Sequence, residues 1–570
     1  MYRKHLTKGI VGATALALTL STFGLSDQTP AREEARPSAH SFRALTDQQL
    51  WEPIKESEQT AVVGLKEANK SSGFAEGKSL LHPEQRRRAS EAVLSGAGVS
   101  FVSSNDIRPT MTVKLADLAA LQAVRRSPFV EWVEPSSFKG QLASDPSGNM
   151  GCNGNGRNES PAGGDVYTGP YDRDDSTGDK LPINFRAAKV REAWALGVTG
   201  AGATVGVVDT GTFPEQTQLT ESGPHRRVVL VDAQNPATDW ADKCNHGTRM
   251  SSTIAAPRDG ISMAGVAPRA NLVAVKANDD VVVVFWETER YANAIRQAVV
   301  NGARIVAMAF GTGSWEFDNI KQEILMHVGN GVLFVAAAGT GYCDEGVVFP
   351  AKMPEVFAVT ATVGNQLAPN VCLGPEVDLH ADVGQTFALG KLLGHRPGSL
   401  GCPPDGPVCP GLTWGGSSAA TAVVSGVAAL VWSKYPQFTA EEVKRRLIGT
   451  ATRGSCSNCG GSNGRVNAYA AVGGFEQLGV GGPRSVTPGS SYTLTAAPSG
   501  DGPFTYYWST GATTPSITWT AGAAGTSQTF TLWVTNTQEN KTLSQSVTVS
   551  AQSTTTTRRR LNDCTPTYCP

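Results

Sequence analysis

Five apolar runs, at residues 204–209, 271–276, 303–310, 331–338 and 356–360, alternate with stretches of helical length such as 287–301 and 319–329. Continuous apolarity marks a strand buried on both faces. Strands that alternate with helices pair in parallel, because a parallel neighbour requires a crossover long enough to hold a helix. Residues 181–475 are therefore predicted to form an α/β domain, a parallel sheet with helices on both faces. In such sheets ligands meet the carboxyl ends of the strands. Asp209 ends the first run, Gly311 follows the third and Gly339-Thr340 follows the fourth, so all are predicted to share one sheet edge.

A second stretch narrows the chemistry. Gly416-Ser417-Ser418-Ala419-Ala420-Thr421-Ala422-Val423-Val424-Ser425-Gly426 is a small-residue turn, predicted to lead into an apolar helix over 422–435. A serine at the start of a helix lies beside unpaired backbone N–H groups, which favour developing negative charge. Small residues in such a place also serve plain packing. Upstream, Val207-Val208-Asp209-Thr210-Gly211 ends a strand, and Asn245-His246-Gly247-Thr248 precedes a helix. Singly, Asp209 reads as a strand-end cap and His246 as a helix N-terminal residue. Together with a serine they supply a nucleophile, a base for its proton and a carboxylate to orient that base.

In that order, Asp-Thr-Gly at 209–211, His-Gly-Thr at 246–248 and Gly-Ser-Ser-Ala-Ala at 416–420 resemble the motifs of the subtilisin-like serine proteases, or subtilases. Gly265-Val266-Ala267-Pro268 and Phe349-Pro350-Ala351 extend the resemblance over residues ~190–475. It implies a serine endopeptidase in which Asp209, His246 and Ser418 cleave polypeptides through an acyl-enzyme. The family places a glycine eight residues after its serine, and Gly426 selects Ser418 over Ser417. Ala422 and Val423 replace the family's usual Pro and frequent His. Thr340 stands where the family carries the Asn that donates to the oxyanion. Its hydroxyl donates directly, acts through a water, or fails. The last case leaves the alternative of a catalytically weak or inactive scaffold that binds peptides or surfaces. Ala309-Phe310-Gly311 matches the strand that pairs with extended substrate, with Gly311 allowing close backbone approach. The apolar residues 281–286 form either a rim, implying broad or apolar preference, or core. No cofactor is required and no metal ligand is assigned. Calcium is common in the family, but no acidic loop here is specific enough to name its ligands.

The flanks suit an exported precursor. Arg3, Lys4 and Lys8 precede an uncharged stretch at 9–25, so residues 1–27 are predicted to be a signal peptide. No later stretch is read as a membrane span, and the protein is expected outside the cell. The ten cysteines then read as disulfides. Cys402/Cys409, Cys456/Cys459 and Cys564/Cys569 are close pairs, and Cys343/Cys372 and Cys152/Cys244 remain by elimination. A zinc site at Cys456-x-x-Cys459 lacks a second ligand pair. Residues 28–140 are predicted to be a small α+β unit with strands at 61–65, 111–115 and 129–135 and helices at 84–94 and 116–125. By resemblance, especially at 112–115 and 130–135, this is an inhibitory propeptide, the chain's own intramolecular partner. Residues 141–180 read as a linker, with a maturation cut near 139–150. Residues 476–552 are predicted to be an immunoglobulin-like β-sandwich and 553–570 a disulfide-containing tail. Tyr506, Tyr507, Trp508 and Trp519 are either sandwich core or a binding face. A net charge of −1 argues against a nucleic-acid partner. A monomer is expected.

Overall fold

The computed structural model describes residues 40–66, 83–105, 108–139, 171–214, 216–224, 226–233, 239–260, 263–279, 285–313, 315–341, 343, 346–384, 387–389, 412–413, 415–459 and 462–552. The expected signal peptide, most of the expected cut region, Cys152, residues 280–284, Cys402/Cys409 and the tail at 553–570 lie outside them.

The apolar runs do form the central sheet. Its order is Val228–Asp232, Asn271–Lys276, Thr204–Asp209, Ile305–Met308, Leu333–Ala337, Phe357–Val363, with Val377–Asp382 also pairing the last of these. All these pairings are parallel, and only the short Gln366–Leu367 strand runs antiparallel. Alternate residues divide between two cores. Val205, Val207, Ile305 and Ala307 pack with Met250 and Ile254 of the His246–Ala255 helix and Val424 and Val427 of the Gly416–Lys434 helix. Val208, Val306 and Met308 pack with Ile295 of the Thr288–Val300 helix and Ile320 of the Asp318–Gly329 helix.

Three expectations need correction. The run at 303–310 is a strand only over Ile305–Met308, because both its neighbours stop pairing at Met308. The helix expected at 422–435 begins at Gly416, so Ser418 lies inside its first turn. That helix is also long and apolar enough to cross a membrane, although no such stretch was foreseen beyond the signal peptide. It is the buried central helix of the domain. At Gly426 an added Cβ would lie 2.6 Å from Val266 Cβ, so helix and loop meet at a distance only glycine permits.

The N-terminal unit is an antiparallel sheet in the order Val99–Ser104, Thr110–Leu115, Thr60–Leu65, Val130–Pro135. The helices Asp47–Glu56, Pro83–Leu94 and Leu118–Arg126 accompany it. The first of these was not foreseen. Its signal is nonetheless present: Thr46 and Gln49 form a capping box, and Leu50, Trp51 and Ile54 share a buried face. Residues 171–182, expected to be linker, form a hairpin of Tyr171–Arg173 with Lys180–Pro182. Asp174 pairs with Arg258 and Asp172 with Arg186, which ties this hairpin to the α/β domain.

Residues 478–551 form two facing sheets, one of Leu478–Gly481, Ser491–Pro498 and Ser516–Thr520, the other of Ser485–Val486, Lys541–Ala551, Ser527–Asn536 and Phe504–Trp508. Trp508, Leu494, Phe530 and Leu532 fill the space between them. The aromatics divide as period-2 strands require. Trp508 is buried, while its neighbour Tyr507 points out beside Trp533.

Candidate active site

The strand Thr204–Asp209 is buried from its second residue and delivers the Asp209 carboxylate to the carboxyl edge of the sheet. Asp209 Oδ1 accepts the Thr210 N–H at 2.8 Å and lies 2.8 Å from His246 Nδ1. This places the Nδ1 proton toward Asp209 and leaves Nε2 as the basic nitrogen. His246 is the first residue of its helix, and the preceding Asn245 takes a left-handed φ of 73° to turn the ring toward the sheet.

A residue not foreseen holds these two loops together. Buried Asp242 accepts the Thr210 hydroxyl at 2.8 Å and the N–H groups of Cys244 and Asn245 at 2.7 and 3.0 Å. It also accepts the Thr248 N–H at 3.0 Å and the Thr248 hydroxyl at 2.6 Å. Thr210 Oγ1 in turn accepts the Gly247 N–H at 2.8 Å. Burial pushes the Asp242 carboxyl upward, against the pull of these hydrogen bonds. The backbones nearly touch: a Cβ at Gly247 would lie 2.3 Å from Gly211 O. Nothing in the local sequence distinguishes Asp242 from any exposed loop aspartate. Asp242→Asn turns an amide NH₂ toward these donors and is expected to cost about 2–3 kcal/mol of stability, with turnover falling about tenfold. Calorimetry and hydrolysis of a chromogenic peptide measure the two, and unchanged turnover would show that Asp242 does not position His246.

Ser418 lies in the first turn of the Gly416–Lys434 helix, which packs against the His246–Ala255 helix. It is half-buried, and its hydroxyl makes no hydrogen bond among the described residues. Ser417 is the contrasting neighbour, 1% exposed and fully engaged. Its Oγ accepts the Gly339 N–H at 3.2 Å and lies 2.9 Å from Thr340 Oγ1, while its own N–H donates to Thr340 Oγ1 at 3.0 Å. The structure therefore joins Asp209 to His246, leaves the Ser418 hydroxyl unengaged, and sets Thr340 directly behind the serine turn.

Thr340 is held there by a clamp. The Cys372 N–H donates to Gly339 O at 2.9 Å and the Gly341 N–H to Asn370 O at 2.6 Å. The expected Cys343–Cys372 disulfide closes the same two segments. Cys456–Cys459 is bonded as expected, and Cys244 is also in a disulfide.

Ala309, Phe310 and Gly311 follow the strand end at Met308, with Ala309 and Phe310 buried and the Phe310 ring against Tyr291 at 4.8 Å. A Cβ at Gly311 would lie 2.3 Å from Val348 Cγ2, a packing requirement invisible in the sequence. Two other histidines are structural. His327 pairs with buried Glu323, and His380 sits between Ser455 and Ser462, with burial lowering its pKa to about 4. Among the described residues no group of three or more His, Cys, Asp or Glu is arranged to hold a metal ion.

The profile of the subtilase family matches residues 200–472. A thermostable alkaline protease of Halalkalibacterium halodurans is 33% identical over 300 residues, covering 51% of this chain and 73% of its own. Subtilisin NAT of Bacillus subtilis subsp. natto is 31% identical over 281 residues, 48% of this chain and 66% of its own. Among solved structures, fervidolysin of Fervidobacterium pennivorans, a keratinolytic enzyme related to subtilisin, aligns with a TM-score of 0.54 at 17% identity. That alignment covers 86% of this chain and 76% of fervidolysin, and it speaks for the fold.

Proposed function

The chain belongs to the subtilase family, and from that premise we infer that Asp209, His246 and Ser418 are its catalytic triad and that residues 28–140 keep it inactive until they are cleaved off near residues 139–150. Membership makes it a serine-type endopeptidase that acts on polypeptides. The observation that carries the triad is the 2.8 Å bond between Asp209 and His246, the latter opening the helix against which the Ser418 helix packs. In this reading Ser418 Oγ attacks the scissile carbonyl carbon while His246 Nε2 takes its proton. Asp209 holds the Nδ1 proton and stabilises the imidazolium. The carbonyl oxygen becomes an oxyanion facing the Ser418 N–H and Thr340. The tetrahedral intermediate collapses as His246 returns the proton to the leaving amine, giving an acyl-enzyme. A water deprotonated by His246 then releases the second product.

Contacts of the N-terminal unit support the autoinhibited precursor. Its last strand, Ser137–Lys139, pairs antiparallel with Phe285–Glu287 of the protease domain. Buried Glu134 accepts the N–H groups of Asp318 and Asn319 at 2.8 and 3.3 Å, capping the Asp318–Gly329 helix. Arg108, 2% exposed, reaches Glu289 at 2.8 Å and Glu323 at 2.8 Å, the latter an ion pair too bent for a hydrogen bond. Phe42 stacks on Trp315 at 4.7 Å.

The test is labelling with a fluorophosphonate together with casein hydrolysis by the mature enzyme. Label on the peptide containing Ser418, with casein cleaved, is the expected result. No label and no cleavage would instead favour the binding-scaffold reading that Thr340 raises.

A further inference from the structure

We propose that Thr340 holds the oxyanion through its hydroxyl proton, and that Ser417 is the positioning residue that aims this proton. The proposal rests on the protease reading above. It follows from counting protons on two neighbouring hydroxyls.

Ser417 Oγ accepts the Gly339 N–H, and the only acceptor within reach of its own proton, among the described residues, is Thr340 Oγ1 at 2.9 Å. Ser417 is buried, so a proton pointing anywhere else would be left unsatisfied. The Ser417 hydroxyl therefore donates to Thr340. Thr340 Oγ1 also accepts the Ser417 N–H at 3.0 Å. Both lone pairs of the threonine oxygen are then filled by one residue, and its proton is the single one in the group without a partner. Thr340 is only half-buried, and in this proposal that proton is the one offered to the substrate oxygen.

The reverse arrangement, with Thr340 donating to Ser417, would bury an unsatisfied Ser417 proton and leave Thr340 nothing to offer. The chain Gly339 N–H to Ser417 to Thr340 also runs in one direction, so each donor polarises the next as charge develops on the substrate. Room for it is provided by Gly416, whose φ is +69° and whose Cβ, if present, would lie 2.8 Å from Thr340 Oγ1. A hydroxyl so supported replaces a longer amide donor because the loop, clamped at residues 370–372, brings it up to the serine turn. Ser418 contributes its backbone N–H as the second donor.

The experiment is steady-state peptide hydrolysis by the mature enzyme and its Thr340→Val, Thr340→Ser, Ser417→Ala and Ser417→Ala/Thr340→Val variants. Each is first titrated with a fluorophosphonate to count intact active sites. Thr340→Val is expected to lower kcat about 10²-fold with KM nearly unchanged, the loss typical of one oxyanion donor. Thr340→Ser keeps the hydroxyl and is expected to stay within about threefold of wild type. Ser417→Ala is expected to lower kcat about tenfold, and the double variant to be no slower than Thr340→Val alone, since both act through one proton. Unchanged kcat in Thr340→Val, or a Ser417→Ala loss that persists in full without the threonine hydroxyl, overturns the proposal while the labelled enzyme still stands as a protease. Wild type that neither labels nor hydrolyses overturns both.

Discussion

Ser418→Ala is expected to accumulate as the uncut precursor, with peptide hydrolysis lower by about five to six orders of magnitude, the scale seen when a triad serine is removed. The argument is local. Ser418 Oγ is the unengaged hydroxyl in the first turn of the central helix, whereas Ser417 is buried and already bonded to Gly339 and Thr340. Loss of Ser418 removes the nucleophile without touching that network. Mass spectrometry of the purified chain reads the result directly. A normally processed Ser418→Ala chain would show that another protease makes the cut, and normal processing with normal hydrolysis would remove Ser418 from the triad.

The second large effect is expected at Arg108. Its guanidinium lies between Glu289 and Glu323, and Glu323 also meets Arg296 at 3.1 Å and His327 at 2.9 Å. Burial alone would raise the Glu323 carboxyl, but Arg108, the His327 hydrogen bond and Arg296 outweigh it and hold the pKa at about 2. Removing one partner of a buried pair costs about 3–5 kcal/mol, because the remaining charge stays desolvated. Arg108→Ala, made in the Ser418→Ala precursor to prevent self-cleavage, is therefore expected to loosen the N-terminal unit by about 10²–10⁴-fold. Its digestion by an added protease, timed against the parent, measures this, and equal rates would mean that the pair contributes nothing to docking.

The sign of the pH dependence follows from the same carboxylates. The folded pKa of Glu323 lies below its ordinary value, so its contribution is complete above about pH 4.5 and is lost as pH falls toward 2. Glu134 behaves oppositely. Its burial, reinforced by Asp318, raises its carboxyl well above the usual range despite the two backbone N–H bonds. Its contribution is complete in acid and declines as pH rises through that higher value. In the parent, docking should therefore weaken at the acidic end through Glu323 and toward the alkaline side through Glu134. Glu134→Gln should remove the alkaline decline alone.

Much of the site was legible because its signals are local. A continuous apolar run ending in Asp209 places that carboxylate at a sheet edge whatever the rest of the chain does. A small-residue turn running into an apolar helix places Ser418 just before a helix, although that helix begins at Gly416 and takes Ser418 into its first turn, and Gly426 picks it from its neighbour. The missed strands Val228–Asp232 and Val377–Asp382 lie at or near the sheet margins, and several of their residues are only half-buried. Val377–Asp382 also carries Asp378, His380 and Asp382, which interrupt its apolar run. The hairpin at residues 171–182 reads as linker in the sequence because its ties are ion pairs to Arg186 and Arg258, which no local pattern announces.

Local patterns in the chain indicate most of the central strands and their flanking helices, their order, and the three candidate residues they present. Periodicity and spacing are properties of the chain, and they survive without knowing what lies opposite. The tertiary structure alone decided how those residues are aimed. Asp242 became the knot between two loops, Gly311 and Gly426 became points of close approach, and Ser417 turned from a rejected nucleophile into the partner of Thr340. Each of these roles depends on a group at least 30 residues away in sequence or on a contact across loops, except the short-range bonds of Asp242 within its own turn. Hydrogen-bond direction and packing distance arise only when distant segments are brought within about 3 Å of one another.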